Sequence, residues 1–305
     1  MRTSHEPRTR PTPRALKMTE VEPLASRDDD RLELISVLES VREKITYLRA
    51  TAQPVDLVTA GANEVADGAY IACATLIDDP DWLRALIVQT GHQLGTDDPM
   101  VAASLFLQSY SYRILTLAIA CATISGVVPD SCAPAMAIAL KGGRVSQVAY
   151  TTPAVLTLAL PGQSISASLL DGAQLASLFD IVHTRAIGLH LGPLIDSVRS
   201  TIRVGERLLW GNVAASQAVA FRTMEGCLGE WVQEIGNYFV GHSPRQLTGL
   251  GSFLVLENGD RRGWFWERTN CCLYDRLPGD IRCADCSRTP SSSRRDAYLA
   301  TLNDA

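Results

Sequence analysis

Leu34, Leu38, Val41, Ile45 and Leu48 recur at helical spacing, which predicts an amphipathic helix over 31–49. Asp28, Asp29 and Asp30 lie before it as caps and suit the positive end of the helix dipole. Pro80-Asp81-Trp82 opens a second helix, which Gly91 or Gly95 ends. Asp97-Asp98-Pro99 opens a long apolar helix to about Ser125, with Gly126 and Pro129 as stop signals. After Pro134 the period changes. Residues 135–140 and 145–150 flank Gly142-Gly143 as a β-hairpin, and 155–160 supplies another strand before Pro161-Gly162. Helical spacing returns over 173–185, 190–203, 205–226 and 229–246, the last stopped at Gly241 and Pro244. Beyond Leu247, residues 253–256 read as a strand and Asn258-Gly259 as a turn.

These elements predict an α+β fold that is mainly helical. A helical domain with a small β-hairpin or sheet spans 31–246, and a small loop-rich module spans 247–290. Residues 1–30 read as a disordered arm and 291–305 as a C-terminal tail. The arm has basic residues but lacks the apolar core of a secretory signal, and translation from Met1 or from Met18 fits it equally. The most lipid-like stretch, 114–128, is shorter than a membrane span needs and reads as a buried core helix. The expected compartment is therefore the cytoplasm. A chain of 305 residues, 46% of them hydrophobic, builds its core without disulfide staples. A net charge of −5 excludes a generally basic nucleic-acid binder.

Cysteine changes the picture. Of eight cysteines, Cys73, Cys121, Cys132 and Cys227 are scattered through apolar segments and read as small buried hydrophobes. The other four form the pattern Cys271-Cys272, ten residues, then Cys283-Ala-Asp-Cys286. Four thiolates are enough for a zinc ion or an iron–sulfur cluster. Cys283 and Cys286 make an ordinary chelate. The adjacent pair is more informative, because neighbouring side chains diverge in extended chain. Structural zinc sites space each chelating pair by two to four residues, so adjacent thiolates suit a wider two-iron centre, [2Fe–2S], better. Pro278-Gly279 turns the intervening loop. The histidines His5, His92, His183, His190 and His242 all lie outside the motif, which argues against a Rieske centre. Zinc and a redox disulfide remain the alternatives.

The run Cys271-Cys272-Leu273-Tyr274-Asp275-Arg276-Leu277-Pro278-Gly279, with its spacing to Cys283 and Cys286, resembles the signature of FhuF-type ferric-siderophore reductases. Leu209-Trp210-Gly211-Asn212-Val213-Ala214 is similar to that family's helix before the cluster module, and 104–113 is a weaker match. The chain departs from its relatives at Asp280-Ile281. The resemblance implies an oxidoreductase with a [2Fe–2S] cluster on Cys271, Cys272, Cys283 and Cys286. It would reduce Fe(III) in a siderophore, commonly a hydroxamate, to Fe(II) by one electron. With no Gly-rich dinucleotide loop in the chain, a ferredoxin or flavin reductase would supply electrons. No catalytic side chain beyond the cluster is implied. The rival functions are a zinc-stabilised siderophore-binding or structural protein, and an iron–sulfur sensor.

Other residues around the motif have two readings. Arg261, Arg262, Arg268, Arg276, Arg282 and Arg288 would raise a cluster's potential, but Glu257, Asp260, Glu267, Asp275, Asp280 and Asp285 cancel them. Trp264, Phe265 and Trp266 read as module packing, as a shield for the cluster or as contacts to the siderophore. Asn212, on a helix, needs partners if buried. His190 and His242 fall in expected loops and receive no role.

Overall fold

A computed structural model describes residues 22–27, 29–58, 66–157, 170–279 and 282–303. Its elements in chain order begin with α1 (Asp30–Lys44), β1 (Ala50–Thr51), β2 (Tyr70–Ala72), α2 (Cys73–Asp78), α3 (Pro80–Leu94) and α4 (Pro99–Ser125). Then follow β3 (Val127–Pro129), β4 (Met136–Lys141), β5 (Arg144–Tyr150), β6 (Val155–Thr157) and α5 (Gly172–Val182). The chain ends with α6 (Gly192–Thr201), α7 (Glu206–Leu228), α8 (Trp231–Gly241), β7 (Gly251–Asn258), β8 (Arg261–Arg268) and α9 (Ser291–Asn303). The fold is α+β and mainly helical.

Helix α4 organises it. Asp98 caps its start by accepting from Met100 N–H at 2.9 Å, and Gly126 closes it in the left-handed conformation. The helix is apolar on all sides, so it lies at the centre of the body. It is long and apolar enough to cross a membrane, yet 78% of its most apolar stretch is buried against neighbouring elements. Helix α7 packs along it, with α1, α3 and β5 around the rest. The hairpin β4–β5 forms the middle of a four-stranded sheet ordered β1-β5-β4-β2, with β1 parallel to β5. Its tip rests on α3, where Thr90 Oγ1 donates to Gly143 O at 3.0 Å. A Cβ on Gly143 would lie 2.9 Å from Gln93 Cβ and 3.0 Å from Thr90 Cα, so only glycine permits this approach.

Three departures from the sequence reading are informative. The helices expected at 173–185 and 190–203 are one continuous rod, joined by a π-helical stretch His183–Leu191. Pro193, just beyond it, has no N–H to continue an α-helical ladder. His190 therefore lies inside a helix and is fully buried, not in a loop. Its Nδ1 is 2.8 Å from Ser131 O and its Nε2 is 2.6 Å from the Tyr110 hydroxyl. The stretch 291–305, read as a tail, is helical over α9. Finally, Cys73, Cys121 and Cys132 are buried as expected but Cys227 is exposed, because it occupies the last, outward turn of α7. Most of the arm, residues 1–21, lies outside the described residues, as do Asp280-Ile281 and the second half of the strand expected at 155–160.

The C-terminal hairpin β7–β8 obeys the two-residue strand period. Trp264 and Trp266 share one face, and Phe253 stacks on Trp264 with centroids 3.7 Å apart. Phe265 points to the other face and stacks on Tyr298 of α9 at 4.6 Å. One strand thus buries three consecutive aromatics, which accounts for α9: it covers the face that would otherwise meet water.

Candidate functional site

The motif Trp210-Gly211-Asn212 of α7 is the seat on which the cysteine segment rests. A Cβ on Gly211 would overlap the Asn270 amide, so glycine admits the residue that precedes Cys271. Asn270 Nδ2 donates to Leu208 O at 3.2 Å. One residue further along the helix, Asn212 is fully buried and its amide is satisfied at both ends. Its Nδ2 donates to Ser104 O and Oγ, both at 2.9 Å, and its Oδ1 accepts from Arg268 at 3.1 Å. Ser104 Oγ in turn donates to Cys272 O at 2.7 Å. Helices α4 and α7, strand β8 and the cysteine segment are therefore tied together by one buried polar chain.

At Cys271-Cys272 the backbone turns sharply. Leu273 has φ of 66°, the one positive φ on a non-glycine among the described residues. That conformation costs roughly 1–2 kcal/mol for an L-residue. The Leu273 side chain offsets the cost by packing with Val101 and Leu105 of α4. The turn directs Leu273 N–H to Cys271 Sγ at 3.2 Å, while that thiol meets Asp275 Oδ1 at 3.4 Å. Burial, then the Asp275 carboxylate, raises Cys271 to about 11 despite the N–H.

Cys272 and Cys283 come together, with sulfurs 3.9 Å apart. Two sulfurs bound about 2.3 Å from one tetrahedral ion would sit roughly 3.8 Å apart, so the pair already has a chelating separation. A hydrogen bond from Cys283 holds the Cys272 thiol well below its ordinary range, with Arg268 assisting, and the same bond raises Cys283. Cys286 is buried, and Cys271 lies to one side with Asp275. All four are free thiols. Among the described residues no three His, Cys, Asp or Glu side chains are close enough together to hold a metal ion.

Arg268 tests whether these residues suit an anionic metal–thiolate centre. It is 2% exposed, and among the described residues it forms no ion pair and its Nε has no hydrogen-bond partner. A buried guanidinium needs an anion. The nearby thiols can become one, and a thiolate-bound cluster is one. The cancellation expected between arginines and carboxylates is thus uneven. Arg262, Arg276 and Arg288 pair with Glu230, Asp98 and Asp275 towards the surface, while Arg268 faces inward.

The cysteine pair opens on a cavity of about 520 Å³. Leu105, Gln108, Ser109 and Tyr112 reach it from one stripe of α4, and Ala215, Val219 and Arg222 from the facing stripe of α7. Arg144 enters from the β4–β5 tip, Trp266 from β8, and Tyr298 from α9. Trp266 thus lies beside the cysteines, whereas Trp264 packs into the main core against Gly236 of α8 and Phe265 packs on Tyr298 of α9. The pocket was invisible in the sequence because its walls come from segments far apart in the chain.

Residues 104–241 match the protein family described as "Ferric iron reductase FhuF-like transporter". The match covers the α4–α8 body and the Trp210-Gly211-Asn212 seat, and ends before the cysteines. No curated protein matches the chain. Among solved structures, ATP-bound aerobactin synthetase IucA from a hypervirulent pathotype of Klebsiella pneumoniae is 10% identical with a TM-score of 0.50, over 78% of this chain and 47% of that one. The petrobactin biosynthesis protein AsbB from Bacillus anthracis is 10% identical with a TM-score of 0.35, over 65% and 32%. The first is a likeness of fold alone. The chain spans about half the length of IucA.

Proposed function

With residues 104–241 recognised as FhuF-like ferric iron reductase sequence, we propose that the chain is a one-electron reductase of ferric siderophores in the cytoplasm. Cys271, Cys272, Cys283 and Cys286 would hold a [2Fe–2S] cluster, which when bound supplies single-electron transfer. The observation that carries this reading is the Cys272–Cys283 pair at 3.9 Å on the wall of a cavity, with buried Arg268 behind it. A redox centre meant to meet a bulky chelate needs this juxtaposition of thiol ligands and open volume.

The chain's own residues have defined tasks in this scheme. Arg268 balances the negative charge of the thiolate centre, and the Leu273 N–H donates towards Cys271 sulfur. Both interactions raise the potential of a thiolate-bound centre. An external donor, a ferredoxin or a flavin reductase, supplies one electron, and Fe(III) in the chelate takes it up to become Fe(II). Hard oxygen ligands hold Fe(II) less firmly than Fe(III), so the metal leaves. No general base or nucleophile is required.

Anaerobic purification tests the proposal. The expected protein is red-brown, contains iron and acid-labile sulfide, and gives a paramagnetic signal on one-electron reduction. Ferric siderophore should reoxidise the reduced form, Cys272→Ser should lose that activity, and Cys121→Ser should keep it. A colourless protein carrying zinc would overturn it.

A further inference from the structure

The charge on the cavity differs from that of the chain. The protein as a whole carries −5. Among the described residues the cavity is lined by Arg113, Arg144 and Arg222 against a single carboxylate, Asp285. None of the three arginines forms an ion pair among the described residues, and each is held differently. Arg113 is clamped, donating to Val145 O at 3.1 Å and to Tyr47 O at 3.0 Å, with its guanidinium over the Tyr47 and Tyr112 rings. Arg222 lies 5.2 Å from the Phe265 ring centre. Arg144 is exposed at the hairpin tip that Gly143 seats on α3. Any thiolate charge at Cys272 is answered from behind by Arg268, so it does not consume the three arginines of the wall.

We infer that this cavity binds the ferric complex itself and selects complexes of net negative charge. The inference rests on the reductase reading above and narrows its substrate. Three hydroxamates neutralise Fe(III), leaving a complex with no net charge for the arginines to meet. A chelator with carboxylate or catecholate arms leaves an anionic complex, whose outer oxygens can accept from guanidinium donors. Tyr112, Tyr274 and Trp266 supply apolar and hydrogen-bonding surface for the organic part of such a ligand. The indole N–H of Trp266 is buried and lacks an acceptor among the described residues.

Gallium(III) complexes test this without electron transfer, since Ga(III) matches the charge and nearly the size of Fe(III) but is not reduced. Calorimetric titration of the full chain would compare a citrate-bridged bis-hydroxamate complex, which is anionic, with a neutral cyclic tris-hydroxamate complex. The anionic complex should bind about tenfold more tightly at low salt, and the preference should shrink at high salt. Arg144→Glu should abolish the preference and Arg144→Lys should retain most of it. Arg144 is exposed and unpaired, so neither change threatens the fold.

Equal affinity for the two complexes, or a preference untouched by Arg144→Glu, would overturn the inference. So would free citrate binding as tightly as the gallium complex. The iron-and-sulfide analysis judges the reductase reading separately: a protein with a cluster but no charge preference loses only the present inference.

Discussion

Arg185 and Arg268 are two inward-facing arginines in different regions, and the chain treats them in opposite ways. In the helical body, Arg185 grips Asp130 with both ends of its guanidinium, Nε to Oδ1 at 2.8 Å and a terminal nitrogen to Oδ2 at 2.5 Å. Burial alone would raise the Asp130 carboxyl, but Arg185 and the N–H groups of Leu24 and Cys132 outweigh it and hold the carboxyl below its ordinary value. In the cysteine module, Arg268 meets an asparagine and thiols but, among the described residues, no carboxylate. At Asp130 the body neutralises its buried charge internally, as a scaffold must. The module leaves a positive charge open beside thiols able to become negative.

That contrast yields graded expectations. The largest effect is acidification, which should act on the body. Burial holds His183 and His190 down to about 4. Both remain neutral in the fold while the unfolded chain takes up protons below about 6.5. Stability should therefore be full above pH 6.5 and fall as pH drops towards 4, by roughly 3 kcal/mol or more. Denaturant titrations across that range would check it, and a flat profile would contradict it. Next comes Asp130→Asn, which strands Arg185 and should cost about 3 kcal/mol in the same assay.

Gly211→Ala should cost about 2 kcal/mol through overpacking, with the damage confined to the module. Faster amide exchange over 270–290, with α4 still protected, is the expected signature. The smallest stability effect belongs to Arg268→Met. Removing a buried cation that has no carboxylate partner should change stability by only about 1 kcal/mol. It should nevertheless disfavour the Cys272 thiolate, moving the midpoint of its alkylation-rate pH profile to higher pH. If Arg268→Met destabilised the protein as much as Asp130→Asn, the contrast would fail.

Local chemistry made much of the body legible. The Asp-Pro starts and glycine ends of α3 and α4 are encoded within a few residues of each boundary, as is the glycine turn of β4–β5. Where the decisive partner is distant, the sequence was silent. β2 and α2 are short and are stabilised by the sheet and by α6, so they carry little periodic signal. α9 is explained by Phe265, which needs cover. The four cysteines announced themselves by spacing, and the structure brings only Cys272 and Cys283 close together. Trp210-Gly211-Asn212 was recognisable as a pattern, but its reason appears only when Asn270 is seen against Gly211. The cavity combines stripes from α4 and α7 that each read, in isolation, as core.

Helix α7 has a further consequence. Asn212, which anchors the cysteine segment, and Arg222, on the cavity wall, are ten residues apart on one unbroken helix, about 15 Å along its axis. A helix is stiff over that length. The offset between the residue that anchors the cysteine segment and the residue on the cavity wall is thus ruled by covalent geometry, as on a gauge bar.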